Sequence, residues 1–275
     1  MANNKVEIEN NLTLIRALIT KHKRHDHIFA GVGMFIIISL TITLLVLFLD
    51  LVFDGYPRFN LDFLTNFPSR RATAAGILSA WVGSSLVLIV TFFAAVPLGI
   101  AAGVYLEEYA KKNWFSDLIE INVTNLAGVP SIIYGLLALG LFVYGFGLGQ
   151  TILTAGLTLA LLMLPIVIVA TREAIRAIPI HIREAAYAVG ATKWQVSLHH
   201  VIQYSYGGIL TGVIIGMARA IGETAPVITI GALTFIAFLP PSPVGLEPPF
   251  INFEWLEAGF TVLPIQMFNW ISRPQ

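Results

Sequence analysis

The sequence predicts an all-α protein, a polytopic membrane helical bundle. Hydrophobic residues make up 56% of the 275-residue chain and charged residues only 12%. A soluble domain carries about 25% charged residues, so the polar surface here is too small to cover a water-exposed globule. The second observation is that five stretches are apolar over the length that crosses a hydrocarbon core, about 20 residues as a helix. The formal net charge is zero, so no bulk attraction to nucleic acid is implied and no nucleic-acid partner is expected. The chain has no Cys, which excludes disulfides, thiolate catalysis and Cys-based metal sites.

Residues 1–31 are mixed and polar and read as a cytoplasmic N-terminal segment. They do not read as a cleaved signal peptide, because the apolar run after them is longer than a signal core. That run, 32–53, is the first span, with Asp50 near its end. The second, 78–106, is long enough to tilt, with a kink expected at Pro97. The third and fourth, 124–147 and 151–170, are separated by a few residues around Gly147–Gln150, which implies a tight helical hairpin. The fifth is 206–238. A transmembrane domain therefore covers 32–238, with a polar loop at 171–203 inside it. The remainder, 239–275, is rich in Pro and aromatic residues and is expected outside, where Trp255 and Trp270 suit the lipid–water interface. Gly83-Ser84-Ser85, inside the second span, reads as a packing site.

Orientation follows from Lys and Arg in the flanks. The N-terminal segment, the loop between spans two and three and the loop between spans four and five hold 11 basic residues together. The other side holds four (Arg58, Arg70, Arg71 and Arg273), and Arg219 lies within span five. The N-terminus is expected in the cytoplasm.

In the loop, residues 182–189 are helix formers, Gly190 follows where positive φ is wanted, and a second amphipathic piece runs from Trp194 to Val201. Ala185 and Ala186 leave a patch without bulk, suited to docking in a groove, and Arg183 and Glu184 offer charges to a partner. An interfacial amphipathic helix is the other reading of the same pattern.

Span five carries Arg219 and Glu223 inside M-A-R-A-I-G-E-T-A-P, residues 217–226. A charge at the bilayer centre costs about 2.5–3.5 kcal/mol on insertion scales. Gly208, Gly212, Gly216, Ala220 and Thr224 form a small-residue stripe that suits close helix contact, and both charges border it. The pair either neutralises itself and pins two helices, or lines a polar route. An Arg fork matches the oxygens of a tetrahedral oxyanion, and Glu223 would hold it between substrates. Arg172, at the end of span four, is a further candidate to receive an anion, though anchoring at the basic side explains it as well. All six His lie outside the spans, so neither a catalytic centre nor a metal site is expected there. No G-x-x-x-x-G-K-[ST] occurs, so the chain is not expected to bind ATP by a P-loop.

Glu184-Ala185-Ala186, three residues and Gly190 resemble the EAA loop of the ABC importer permeases. LDFLTNFPSR (61–70), PLGIAAGVYLEEYA (97–110), NLAGVPSIIYGLLALGLFV (125–143) and RAIGETAP (219–226) resemble the phosphate-importer branch of that family, in its PstA-type members. The resemblance covers about residues 30–275. It implies an ABC importer permease-like fold, with Glu184, Ala185, Ala186 and Gly190 in the loop that docks on an ATPase. It also implies Arg219, Glu223, Thr224 and Arg172 along a phosphate pathway. The implied partners are a second homologous permease, a cytoplasmic ATPase dimer that carries the ATP, an external phosphate-binding protein and the bilayer of the bacterial inner membrane. No cofactor is bound by this chain itself.

Two departures stand out. Members usually have Pro shortly before span five, where this chain reads V-I-Q-Y-S-Y (201–206). The family usually has a sixth span, which suggests that the chain is truncated. A permease for sulfate or molybdate, an intramembrane enzyme and a passive scaffold are the alternatives.

The five-span reading has a direct check. A reporter fused after Gln195 is expected to read cytoplasmic and one after Gln275 external; two reports from the same side would overturn it.

Overall fold

The computed structural model describes residues 2–71, 74–111, 113–233, 235–245 and 250–272, the side chains of 2–22 and 24 excepted. The basic side chains of Lys5, Arg16, Lys21 and Arg24 lie outside what is described, as do residues Lys112, Arg273 and Gln275. The chain divides into two units, Met1–Asn60 and Leu61–Gln275.

The first unit is one helix, α1 (Ala2–Gly55), closed by a 3-10 turn at Tyr56–Arg58. Its stretch His25–Arg58 is long and apolar enough to cross a membrane and contains the first expected span. The hydroxyls of Thr41 and Thr43 donate to the carbonyls of Ile37 and Ser39, at 2.8 and 2.9 Å. These two hydroxyls are thus satisfied within the helix, as lipid requires.

The second unit opens with the short α2 (Leu61–Thr65) and then α3 (Leu78–Val104). The last turn of α3 widens into a π turn, Tyr105–Tyr109, closed by Ala110 N donating to Tyr105 O at 2.9 Å. Next come α4 (Trp114–Leu126) and α5 (Ser131–Ala138), the latter prolonged by π turns over Leu139–Gly145. The third expected span is therefore not one straight helix. Its two pieces meet at 104°. Among the described residues, four helices are long and apolar enough to cross a membrane, or five spans if the bent pair is one.

The tight hairpin is present. Gly147 and Gly149 take φ of +68° and +69° between α5 and α6 (Ile152–Arg176). Then follow α7 (Ile180–Ala188), α8 (Lys193–Val196), a π turn and α9 (Ile202–Gly222). The short α10 (Ala225–Thr229), a 3-10 turn at Glu254–Glu257 and α11 (Leu263–Ile271) come last. Among the described residues there is no strand beyond one isolated bridge, Val244 to Ile251.

The glycines show how the helices meet. A Cβ on Gly99 or Gly103 would strike Val167 or Thr171, and one on Gly156 would strike Val90. These pairs ascend together, so α3 and α6 run parallel. A Cβ on Gly208, Gly212 or Gly216 would strike Ala174, Ala170 or Met163. These run in opposite senses, so α9 is antiparallel to α6. The small-residue stripe read from the sequence is thus the face by which α9 packs on α6. Because α3 and α6 are parallel, the chain between them must cross back. α5 and its π extension make that crossing, while α4 lies at a steep angle at the α6 C-terminal end.

Two proline positions explain where helices stop. Proline clashes with the carbonyl four residues earlier. Pro130 meets Leu126, where α4 ends, and Pro226 meets Gly222, where α9 ends. Pro97 and Pro165 sit inside α3 and α6, which run on through them. In both breaks a Gly stands two or four residues ahead of the Pro, and the four residues before Pro97 and Pro165 hold none. The fifth span accordingly stops at Gly222 and does not reach 238, as the apolar run alone suggested.

The stretch beyond α10 folds back onto the bundle. Trp255, Phe260, Val262 and Ile265 share one buried cluster with Leu86, Val87 and Leu159. Leu263 N donates to Ser84 Oγ at 2.9 Å, and a Cβ on Gly83 would strike the Thr261 carbonyl. Gly83 and Ser84 are thus a packing site, for the C-terminal segment.

Gly212→Leu is expected to destabilise the protein by about 1–3 kcal/mol, the usual cost of overpacking. Gly207, one residue before the stripe, has nothing within 4 Å of its Cβ position. Gly207→Leu is expected to leave the unfolding midpoint in detergent unchanged, and equal effects would refute the packing face.

Candidate functional site

Arg219 lies in the last turn of α9, and Glu223 is the first residue beyond it, extended at φ −77° and ψ 120°. Arg219 Nε donates to Glu223 Oε1 at 3.2 Å, with side chains 41% and 18% exposed. Among the described residues, the terminal amino groups of the fork make no hydrogen bond. Thr224 then starts α10, whose Ile228 N donates to the Thr224 carbonyl at 3.0 Å.

Glu223 borders a small hollow with Ser84, Val87, Leu88, Leu159 and Val262. Ser84 to Leu88 in α3 and Leu159 in α6 lie about 9–15 Å along their helices from the first residue. The charged pair is therefore below the helix ends on the side opposite α7. The break is held from behind by α5. A Cβ on Gly135 would strike Pro226 and Thr229, so the backbones approach closely there. The apolar stretches NLAGVPSIIYGLLALG and RAIGETAP meet at this contact.

A second group of charges gathers at the far end of α6. Arg172 NH2 is 2.6 Å from Glu120 Oε2, and its Nε faces Glu107 at 3.5 Å without hydrogen-bond geometry. Arg176 reaches Glu107 at 3.0 Å, and Glu120 and Glu173 at 3.2 Å. Two arginines thus face three carboxylates. Arg172, 6% exposed, offers no free fork to an anion, and it lies about 20 Å further along α6 than Leu159. The structure does not bring it together with Arg219 and Glu223. Burying a charge is tolerable only when it is paired, which explains the arrangement. Glu107 and Glu120 were not singled out in the sequence; the repeated Glu of YLEEY beside an Arg-rich helix end was the available signal.

The loop beyond α6 is helix, turn, helix. Gly190 has φ +84° at the turn. Thr192 and Gln195 form a reciprocal capping box that starts α8. Glu184 and Ala185 are exposed, and Glu184 faces His181 Nδ1 at 3.2 Å. Ala186 is turned inward and packs with Ile175, Ile178, Val196 and Val201. Its small size therefore serves the contact within the chain, and the outer face of α7 is made by Ile180, Glu184, Ala185 and Tyr187. Arg183 also turns inward. It donates to Glu108 Oε1 from Nε at 3.1 Å and from NH2 at 2.9 Å, and to the carbonyls of Ile175 and Ile178 at 3.1 Å.

These features define a class: a multi-pass α-helical membrane protein with a broken, charged helix inside the bundle and an ordered helical loop at one end. Residues 95–244 match the family described as binding-protein-dependent transport system inner membrane component, and the chain belongs to it. It is 32% identical over 240 residues to the probable ABC transporter permease protein YqgI of Bacillus subtilis, covering 86% of this chain and 77% of that one. It is 30% identical over 244 residues to the phosphate transport system permease protein PstA of Haemophilus influenzae, covering 87% and 84%. To the PstA of Mycobacterium leprae it is 35% identical over 202 residues, 74% of this chain and 62% of that protein. The match thus spans less than two thirds of the mycobacterial protein.

Removing one partner of a buried ion pair costs about 3–5 kcal/mol. Arg172→Leu is expected to lower the thermal midpoint in detergent clearly, whereas Arg219→Gln, at a half-exposed pair, costs at most about 1 kcal/mol and is expected to lower it less. Equal midpoints for the two variants would show that the Arg172 network does not hold the bundle end together.

Proposed function

We propose that this chain is one of two homologous permease subunits that form the pathway for inorganic phosphate in an ATP-driven importer. The carrying observation is the half-exposed Arg219–Glu223 pair at the break between α9 and α10. Discontinuous helices are where transporters place substrate sites, because the freed backbone and charged side chains line a polar route there. The relatives named as phosphate transport permeases support phosphate as the oxyanion.

In this reading the terminal amino groups of Arg219 engage phosphate oxygens in a fork while Nε stays on Glu223. Glu223 keeps the guanidinium aimed between substrates and repels the anion, which keeps binding weak enough for release. The exposed flank of Arg219 faces the second permease. The N-terminus and the α7 loop are cytoplasmic, and α7 presents Glu184 and Ala185 to the ATPase that supplies the energy. An external binding protein delivers phosphate at the opposite end. Arg172 holds the bundle end and does not carry the anion. Sulfate or molybdate fits an Arg fork equally well, so competition between oxyanions separates the readings.

The test is ATP-dependent uptake of labelled phosphate against sulfate, in liposomes holding the chain with its co-purified partners. A hydrogen bond to a charged group contributes about 1.5–3 kcal/mol, so Arg219→Gln is expected to reduce uptake ten- to a hundredfold with assembly intact. The exchange Arg219→Glu with Glu223→Arg keeps net charge and spacing but moves the positive charge four residues, from the last turn of α9 to the first residue beyond it. A structural pair tolerates that exchange and a pathway residue does not. Normal phosphate uptake by the exchanged protein would sink this reading.

A further inference from the structure

Three consecutive residues of the π turn that ends α3 each hold a different element of the helical loop. Glu107 holds α6 through Arg172 and Arg176, at 3.5 and 3.0 Å. Glu108 holds α7 through Arg183 at 2.9 Å, with side chains only 7% and 17% exposed. Tyr109 lies beneath Lys193, the first residue of α8, with Nζ 4.9 Å from the ring centroid. Successive helical residues point about 100° apart, so three in a row fan out far enough to reach three neighbours. Arg183 completes the joint. It also donates to the Ile175 and Ile178 carbonyls, at and just beyond the end of α6.

We infer that the π turn Tyr105–Tyr109 is the joint that passes movement of the α7–α8 loop to the span α3, with Glu108 as its central positioning residue. The inference rests on the reading of α7 as the surface that meets the ATPase. No other contact between α3 and α7 is needed, because Arg183, on α7, binds Glu108 directly. A push on α7 moves the Arg183 guanidinium, and Glu108 carries that displacement into the last turn of a helix packed along α6. A π turn suits a joint, since its wider ring is less tightly closed than an α turn.

The absence of Cys from the chain allows a clean measurement. Spin labels go on Leu98→Cys in α3 and Val189→Cys after α7, both outward-facing at 61% and 85% exposed. The full chain is placed in lipid nanodiscs, and the distance distribution is read with and without Glu108→Gln. A narrow distribution that broadens in Glu108→Gln is expected, with no broadening in Glu173→Gln, whose carboxylate among the described residues touches Arg176 alone. In the assembled transporter, phosphate carried per ATP hydrolysed is expected to fall about tenfold in Glu108→Gln, within the range that changes along a coupling network produce. An unchanged distribution, or unchanged phosphate per ATP, overturns the inference. If Glu108→Gln does not assemble, Tyr109→Leu removes the ring beneath Lys193 and must broaden the distribution, failing which the joint is refuted. A wild-type complex that moves no phosphate would refute the transport reading alone, since the label distances are read on the chain without its partners.

Discussion

Everything in the second unit depends on how closely other helices approach α6. Lipid tails are as apolar as leucine, so burial against another helix gains little, and association rests on van der Waals contact between backbones. α6 receives α3 at Gly99 and Gly103 and α9 at Gly208, Gly212 and Gly216, and gives its own Gly156 to Val90. Each of these positions removes a Cβ that would collide. The close fit on both flanks sets the parallel sense of α3 and the antiparallel sense of α9, and so decides which helix ends come together.

The two ends of that bundle carry opposite kinds of chemistry. At the α7 end, charges are numerous and interlocked, and they join α3, α4, α6 and the loop into one assembly. At the other end a single pair, Arg219 and Glu223, stands beside a small cavity with its fork half exposed. Charges that are fully paired rigidify, whereas a charge with free donors can accept a passing anion. In the proposed reading the same residue type, Arg, serves both purposes, because the number of carboxylates around it differs.

Much of this architecture was legible in the residues. The apolar runs gave the helices, the four-residue stripe in α9 gave its packing face, and Gly190 gave the turn with positive φ. The end of α9 could also have been read, from Gly222 and Pro226 four residues apart. The bend at Ala127–Pro130 follows the same rule. What misled was length. An apolar run to 238 is equally compatible with a helix and with an irregular segment that folds back, because hydropathy records burial and not direction.

By itself the sequence determined the membrane class, the helical loop with its Gly turn, and the closeness of Arg219 to Glu223, because these rest on composition or on contacts within one helical turn. The tertiary structure alone decided that Ala186 faces inward and that Arg172 is held by Glu107 and Glu120. It alone brought Glu108 to Arg183 across 75 positions. Such pairings join elements distant in the chain, and no local periodicity encodes which carboxylate a given arginine will meet. Their partners are chosen by the packing of α3, α6 and α7, through glycines whose effect appears only when the helices are side by side.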